Sequence, residues 1–182
     1  SPARPGQWQA ASIPDELQNR RFELTGPSDR RTVISALNSG ADYYLADFGD
    51  SSAATWDATI QGQINLRNAI DGTLEYTDSV TGMHYQLKDQ IATLIVRPRS
   101  WRLDEQHLLV DGRPVSASLF DFGLFFYHNA QRLVFRGKRP SFYLPEMENQ
   151  AEAELWKDVF QRAQRDRNIE QGTIYATASI SE

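Results

Sequence analysis

The stretch YYLADFGDS, residues 43–51, is a short apolar run that stops abruptly at two acidic residues. Four consecutive apolar residues bounded by turn-forming ones are typical of a buried β-strand. The acids are Asp47 and Asp50, and an acid in this place can simply cap a turn or a helix, since Asp and Ser favour both. A single case carries little weight, but the arrangement recurs further along the chain.

Predicted strands and helices alternate on both sides of this stretch. Residues 27–40 predict a helix, because apolar residues recur on one face and Gly40 follows as a stop. Residues 73–87 alternate in hydrophobicity and break at a turn, which predicts a hairpin. The other predicted elements are strands over residues 21–26, 92–97, 142–145 and 173–180, and helices over residues 55–72, 116–137 and 149–168.

This alternation predicts an α/β fold in which parallel strands are covered by helices. The hairpin interrupts the alternation and has the character of an insertion. We therefore expect the strands near residues 43–47, 92–97, 142–145 and 173–180 to lie parallel and adjacent, with the hairpin outside their sheet.

The bulk composition limits the class of protein. The chain has 182 residues, 40% of them hydrophobic, which is enough for one domain with a substantial core. A net charge of -5 with scattered Lys and Arg argues against a nucleic-acid partner. No apolar run approaches the roughly 20 residues of a membrane span. The absence of cysteine excludes disulfides and thiolate metal sites, and we expect a cytoplasmic protein of undetermined oligomeric state.

Polar or charged residues follow four of the predicted strands. Carboxyl ends of parallel strands meet at one edge of a sheet or barrel, where active sites are built. Carboxylates beside an arginine suit a divalent cation and an anionic substrate. The alternative is that each charge only caps a loop. The residues are Asp47 and Asp50, Arg97 and Arg99, Glu146 and Glu148, and Ser181 with Glu182.

Several long motifs resemble the malate synthases, and specifically the shorter A-type form. They are YYLADFGDSSAATWD, IVRPRSWRLDEQHLLVDGRPVSASLFDFGLFFYHNAQ, FYLPEMENQAEAELWKDVFQRAQ and GTIYATASISE, in that order. The resemblance implies a TIM (β/α)8-type barrel, of which this chain would form a part with an inserted α/β hairpin segment. It also implies condensation of glyoxylate with acetyl-CoA to give malate and CoA, with Mg²⁺ as cofactor.

The resemblance also implies roles for particular residues. Arg97 matches the arginine that steadies the developing enolate or alkoxide, a task that suits a permanently charged guanidinium. Asp47 and Asp50 match an acidic motif that orients substrate or water around the metal. Glu182 is the carboxylate nearest to the metal-binding glutamate of the fifth strand, but it stands one residue too late.

Other positions depart from the family pattern. Gly49 replaces a glutamate, Ser100 a glycine, Arg102 a histidine and Glu146 a basic residue, while Ser181 takes the place of the metal ligand. Because a one-residue slip in a strand turns a side chain to the other face, Glu182 is expected to bind Mg²⁺ poorly. We therefore expect the 182-residue chain, alone, not to make malate.

Two alternatives remain open at the level of sequence. The chain could belong to a non-catalytic remnant or paralogue that binds CoA or a protein partner, or to a CoA-ester lyase of the citrate-lyase β type. His84, His107 and His128 lack metal-ligand spacing and are interpreted as packing or surface residues.

The motifs also suggest a division of the chain. The predicted parts are an N-terminal arm (1–20), the first barrel strands and helix (21–50), an inserted α/β segment (51–90) and further βα units (91–182). In a eukaryotic source, the resemblance implies a glyoxysomal or peroxisomal location instead of the cytoplasm.

Overall fold

The computed structural model describes residues 21–180. Five strands of this part form one parallel sheet, and their spatial order follows the order of the chain. The predicted arm at residues 1–20 and the predicted site residues Ser181 and Glu182 lie outside the described residues. The strands of the sheet are β1 (Glu23–Gly26), β2 (Tyr43–Asp47), β5 (Thr93–Arg97), β8 (Ser141–Met147) and β9 (Tyr175–Ile180).

Helices connect successive strands of the sheet. Each is preceded by a residue whose side chain accepts a hydrogen bond from the backbone N–H three residues later, which satisfies one of the free donors of the first turn. The prediction of parallel, adjacent strands crossed by helices is thereby confirmed, and the sheet is a partial barrel that is not closed. The helices are α1 (Arg30–Leu37), α2 (Trp56–Asp71), α3 (Ala117–Phe135) and α4 (Gln150–Asp166).

Two antiparallel hairpins stand outside this sheet. The first pairs β3 (Glu75–Thr77) with β4 (His84–Gln86) and confirms the predicted hairpin. The second pairs β6 (Asp104–Val110) with β7 (Arg113–Ser116) and was not predicted. Its turn is an Asp-Gly dipeptide, Asp111 and Gly112, with φ of 52° and 76°. That dipeptide is the sequence signal for a two-residue hairpin turn, so the hairpin was recognisable.

The two faces of the sheet pack differently, because successive side chains of a strand point to opposite sides. Tyr44 and Val96 belong to the large cluster that includes the apolar faces of the helices. Tyr43, Leu45 and Ile95 form a separate buried cluster. Asp47 and Arg97, the last residues of β2 and β5, stand two positions after Leu45 and Ile95. They therefore lie on that second face, which in a barrel is the interior.

Gly62 marks a close approach between α2 and the loop after β1. A Cβ at this position would lie 2.1 Å from Ser28 Oγ and 2.9 Å from Ser28 Cβ. Gly62→Ala is therefore expected to lower the free energy of unfolding by about 1–3 kcal/mol through overpacking. This is opposite to the gain of roughly 1 kcal/mol that alanine normally brings to a helix interior. Urea titration measures the change.

Gly123 in α3 provides the matched control for this substitution. No atom of another described element lies within 4 Å of the position that its Cβ would take. Gly123→Ala should therefore raise the free energy of unfolding by about 0.5–1 kcal/mol. If Gly62→Ala stabilised the protein as much as Gly123→Ala does, the close approach at Ser28 would be disproved.

Candidate active site

A cavity of about 310 Å³ opens at the carboxyl ends of β2, β5 and β8. This is the edge at which sheets of this kind build their sites. The charged side chains around it come from the ends of β5 and β8, from the segments after β2, β5 and β8, and from the start of α4, so the parallel sheet brings together residues that are far apart in sequence. They are Asp50, Arg97, Arg102, Glu146, Glu148 and Glu152.

Asp47, the last residue of β2, is almost completely buried, with an exposed fraction of 1%. Its Oδ1 accepts hydrogen bonds from the backbone N–H groups of Gly49 at 2.8 Å and Asp50 at 3.3 Å. Its Oδ2 accepts from Ser51 Oγ at 3.1 Å and from Arg97 Nη1 at 3.2 Å. The abrupt acid after the apolar run therefore folds its own loop and holds the arginine of the next strand.

Arg97 ends β5 directly opposite Asp47 in the parallel register. Its Nη1 also forms an ion pair with Asp50 at 2.8 Å. The Asp47 side chain is 1% exposed and the Asp50 side chain is 79% exposed. One acidic partner of Arg97 is therefore enclosed in the protein, and the other faces solvent. Within residues 21–180, Nε and Nη2 of Arg97 have no hydrogen-bond partner. A guanidinium with unused donors at a cavity is suited to bind an anion.

The end of β8 and the residues after it also line the cavity. Glu148 forms an ion pair with Arg102, which reaches it from the loop after β5. The backbone N–H of Glu148 donates to Glu152 Oε2 at 2.9 Å, at the start of α4. Arg102, one of the departures from the family pattern, thus has a partner at the cavity.

These side chains are the candidates for a magnesium site at the cavity. Within residues 21–180, no group of three His, Cys, Asp or Glu side chains is arranged to hold a metal ion. Asp47 already uses both oxygens for four hydrogen bonds, and Asp50 is paired with Arg97. The described residues therefore do not form a Mg²⁺ site by themselves.

A second group of charged residues lies beside the site and was not predicted. The Arg99 guanidinium binds Asp121 in α3 through Nε at 2.9 Å and Nη2 at 2.8 Å. Its Nη1 donates to Glu105 Oε2 in β6 at 2.9 Å. Glu105 Oε1 in turn interacts with the backbone N–H of His107 at 3.0 Å and with its Nδ1 at 2.8 Å. We call these four residues the Arg99 network.

Burial and hydrogen bonding act against each other in this network. Burial acts to lower the pKa of Arg99, but the bonds to Asp121 and Glu105 outweigh it and the pKa is raised. Burial acts to raise the pKa of Glu105, but the bonds from His107 and Arg99 outweigh it and the pKa is lowered. Burial raises the pKa of Asp121, and Arg99 opposes that rise. Arginine stays protonated, so Arg99 is the positive charge that favours the ionised form of Asp121.

The structure brings together three of the residues predicted to form the site. Asp47, Asp50 and Arg97 are in contact, and Glu146 lines the same cavity. Arg99 was predicted at the same edge but binds α3 and β6 instead. The histidines are not assembled: His84 contacts Thr77, His107 contacts Glu105 and His128 contacts Tyr127.

Comparison with known proteins identifies the family. A family profile described as "Malate synthase, TIM barrel domain" matches residues 93–182. The malate synthase of Myxococcus xanthus (strain DK1622) is 52% identical to the chain over 177 residues, which is 97% of this chain and 32% of that protein. The chain belongs to the malate synthase family.

Other relatives agree with this assignment. The glyoxysomal malate synthase of Brassica napus is 46% identical over 182 residues and is covered to 32% of its length. The bifunctional glyoxylate cycle protein of Caenorhabditis elegans is 47% identical over 173 residues, which is 95% of this chain and 18% of that protein. The chain spans about a third of the length of the malate synthases that it matches. No helix within residues 21–180 is long and apolar enough to span a membrane.

Proposed function

We propose that the protein carrying this chain is a malate synthase that condenses glyoxylate with acetyl-CoA to give malate and CoA, within the glyoxylate cycle. The observation that supports this most strongly is the Arg97 guanidinium, which is anchored by buried Asp47 and lines the cavity with N–H donors that no residue of 21–180 accepts. Family membership supplies the substrates, because the relatives from Myxococcus xanthus and Brassica napus are malate synthases.

Arg97 would act as a fixed positive charge for the anion of the reaction. A preorganised guanidinium that is already held by Asp47 needs no reorganisation when negative charge develops on the substrate oxygen. The exposed Asp50 can give up its ion pair to an incoming carboxylate, whereas buried Asp47 cannot move without breaking four hydrogen bonds. Asp47 would thus be a positioning residue and Asp50 an exchangeable partner of Arg97.

Magnesium remains part of the proposal by resemblance alone. Mg²⁺ would supply a Lewis acid for the glyoxylate carbonyl. The described residues do not form its site, and the assignment of Glu182 as a ligand stays a prediction. The division into residues 1–20, 21–50, 51–90 and 91–182 is likewise proposed, as is a cytoplasmic location, or a glyoxysomal one in a plant.

Arg97→Ala provides the test of this function. Oxalate, a stable dianion of the size of glyoxylate, should lose about 1.5–3 kcal/mol of binding free energy in the variant, the usual worth of a charged hydrogen bond. Titration calorimetry with and without Mg²⁺ measures this loss, and glyoxylate-dependent thiol release from acetyl-CoA measures the activity. Equal oxalate affinity of the wild type and Arg97→Ala would rule out the proposed role of Arg97.

Arg162→Ala serves as the control variant. Arg162 forms an exposed ion pair with Asp166 within α4, so its removal takes away an arginine without touching the cavity. Oxalate binding and thiol release should stay at the wild-type level. A wild-type protein that binds neither oxalate nor glyoxylate, and releases no thiol, would favour the non-catalytic paralogue instead.

A further inference from the structure

The loop between β5 and β6 builds one wall of the cavity. Of its residues 98–103, all except Arg99 line the cavity. The side chain of Arg99 binds α3 and β6 instead, through Asp121 and Glu105. Arg99, which does not line the cavity, is therefore the residue that attaches this loop to α3 and β6.

The attachment is geometrically specific. Two guanidinium nitrogens of Arg99 and its own backbone N–H all donate to Asp121, the last of these at 2.9 Å to Oδ2. A third guanidinium nitrogen donates to Glu105. Because backbone and side chain of one residue bind the same carboxylate, the orientation of the loop is fixed as well as its position.

Burial of these charges argues for a positional role. The side chains of Asp121, Glu105 and Arg99 are exposed by only 0%, 4% and 12%. Taking ionised groups out of water costs so much that apolar replacements of similar volume are often as stable or more stable. Such a network is therefore weak as a source of stability, but it specifies one geometry, since each donor faces a defined acceptor.

Aromatic rings close the network on one side. Trp56 in α2 lies against the rings of His107 and Phe120, with centroid distances of 5.3 Å and 5.5 Å. The Arg99 guanidinium lies 6.0 Å from the centroid of Phe120. These rings limit the access of water to the ion pairs, which strengthens each hydrogen bond and favours a single arrangement.

We propose that Arg99 is a positioning residue of the site, and that its bonds to Asp121 and Glu105 hold the loop 98–103 so that Arg97 and the cavity wall bind the substrate anion in one fixed geometry. The inference rests on the proposed function, because it assigns a role in that reaction. Arg97 stands two residues before the anchor and Trp101 two residues after it. A displacement of about 1 Å in such groups can cost on the order of 100-fold in rate.

The test uses two variants of the full-length protein. Arg99→Lys keeps the charge but has no guanidinium fork. The triple variant Arg99→Met/Glu105→Gln/Asp121→Leu removes the charges while it keeps the side-chain volume, and the amide oxygen that it introduces at position 105 can still accept from His107. We expect both to raise the dissociation constant of oxalate about tenfold and to lower kcat 10- to 100-fold. The urea midpoint of the triple variant should equal that of the wild type.

Calorimetry separates a displaced loop from partial misfolding. An irreversibly misfolded fraction lowers the binding stoichiometry and leaves the dissociation constant unchanged, whereas a displaced loop raises the dissociation constant at full stoichiometry. Reversible unfolding also raises the apparent dissociation constant, and it is excluded by a wild-type urea midpoint. Arg162→Met is the control and should change neither quantity. Wild-type kcat and wild-type oxalate affinity in the triple variant would overturn the proposal, and if that variant does not fold, the same result in Arg99→Lys would overturn it.

Hydrogen exchange distinguishes failure of this inference from failure of the proposed function. If the wild type shows neither oxalate binding nor glyoxylate-dependent turnover, the proposed function is wrong. Exchange of the backbone amides at residues 99–103 still reports on the anchor and should become at least tenfold faster in Arg99→Lys. Unchanged exchange there would contradict the positioning role, whatever the activity of the protein.

Discussion

Replacing Phe122 by alanine is expected to lower the free energy of unfolding by about 3–5 kcal/mol, the usual cost of removing a large buried aromatic side chain. Phe122 belongs to α3, is 3% exposed and packs against β8 and α4. Its ring is 4.9 Å from the ring of Phe142, 5.6 Å from that of Trp156 and 5.4 Å from that of Phe160, as centroid distances. The substitution would leave a cavity in a core that two helices and the sheet share. Chemical denaturation measures the loss.

Phe135, at the end of the same helix, provides the matched control. Its side chain is 91% exposed, so Phe135→Ala should change the free energy of unfolding by less than about 0.5 kcal/mol. If both substitutions had the same small effect, the packing of α3 on the sheet through Phe122 would be disproved.

Replacing Asp121 by alanine is expected to cost about 3 kcal/mol of stability, the lower end for breaking a buried ion pair. The variant loses three hydrogen bonds from Arg99 and leaves that guanidinium with Glu105 alone. The loss comes from an uncompensated buried charge, so it should disappear when the charge disappears. The triple variant Arg99→Met/Glu105→Gln/Asp121→Leu should accordingly be more stable than Asp121→Ala.

Asp166→Ala is the corresponding control for a surface ion pair. Asp166 pairs with Arg162 on the exposed side of α4, and such pairs contribute only about 0.3–0.5 kcal/mol. Urea titration of Asp121→Ala, the triple variant and Asp166→Ala measures their free energies of unfolding. An Asp121→Ala variant no less stable than Asp166→Ala would mean that the Arg99 network carries no buried charge.

The strand ends of the site could be predicted from sequence because their cause is local. Apolar runs followed by charge identify both β2 and β5, and the parallel alternation then places Asp47 opposite Arg97. Sequence alone does not show that Asp47 and Asp50 have different roles. Burial decides it: Asp47 is enclosed and holds Arg97, whereas Asp50 is exposed to solvent.

The Arg99 network could not be predicted, since its cause is tertiary. Arg99, Glu105 and Asp121 come from a loop, a strand and a helix, and no spacing in the sequence relates them. The second hairpin is a different case, because Asp111 and Gly112 form a recognised turn signal between alternating residues. Glu105 belongs to this hairpin, so its place in the Arg99 network could not be predicted while the hairpin was overlooked.

The departures from the family pattern are partly explained by the structure. Arg102 and Glu148 both line the cavity and form an ion pair, so the basic residue that departs from the family pattern has an acidic partner. Gly49 is close to Asp47, because a Cβ there would lie 3.3 Å from Asp47 Oδ1. A larger side chain at Gly49 would crowd the carboxylate that holds Arg97. Ser100 Oγ accepts a hydrogen bond from the backbone N–H of Arg102 at 3.3 Å, which a glycine could not do.

The spatial order of the sheet also determines how the chain can fold during synthesis. Within residues 21–180, each new strand of the parallel sheet pairs with the strand that joined this sheet before it, and paired residues of the sheet are at most about 50 positions apart, as Tyr43 and Thr93 are. At the usual translation rate of about 5–20 residues per second, successive strands emerge from the ribosome within roughly ten seconds of each other. Each of β2, β5, β8 and β9 therefore meets the free edge of a strand that has already been synthesised, and this part of the sheet can grow in one direction as the chain emerges from the ribosome.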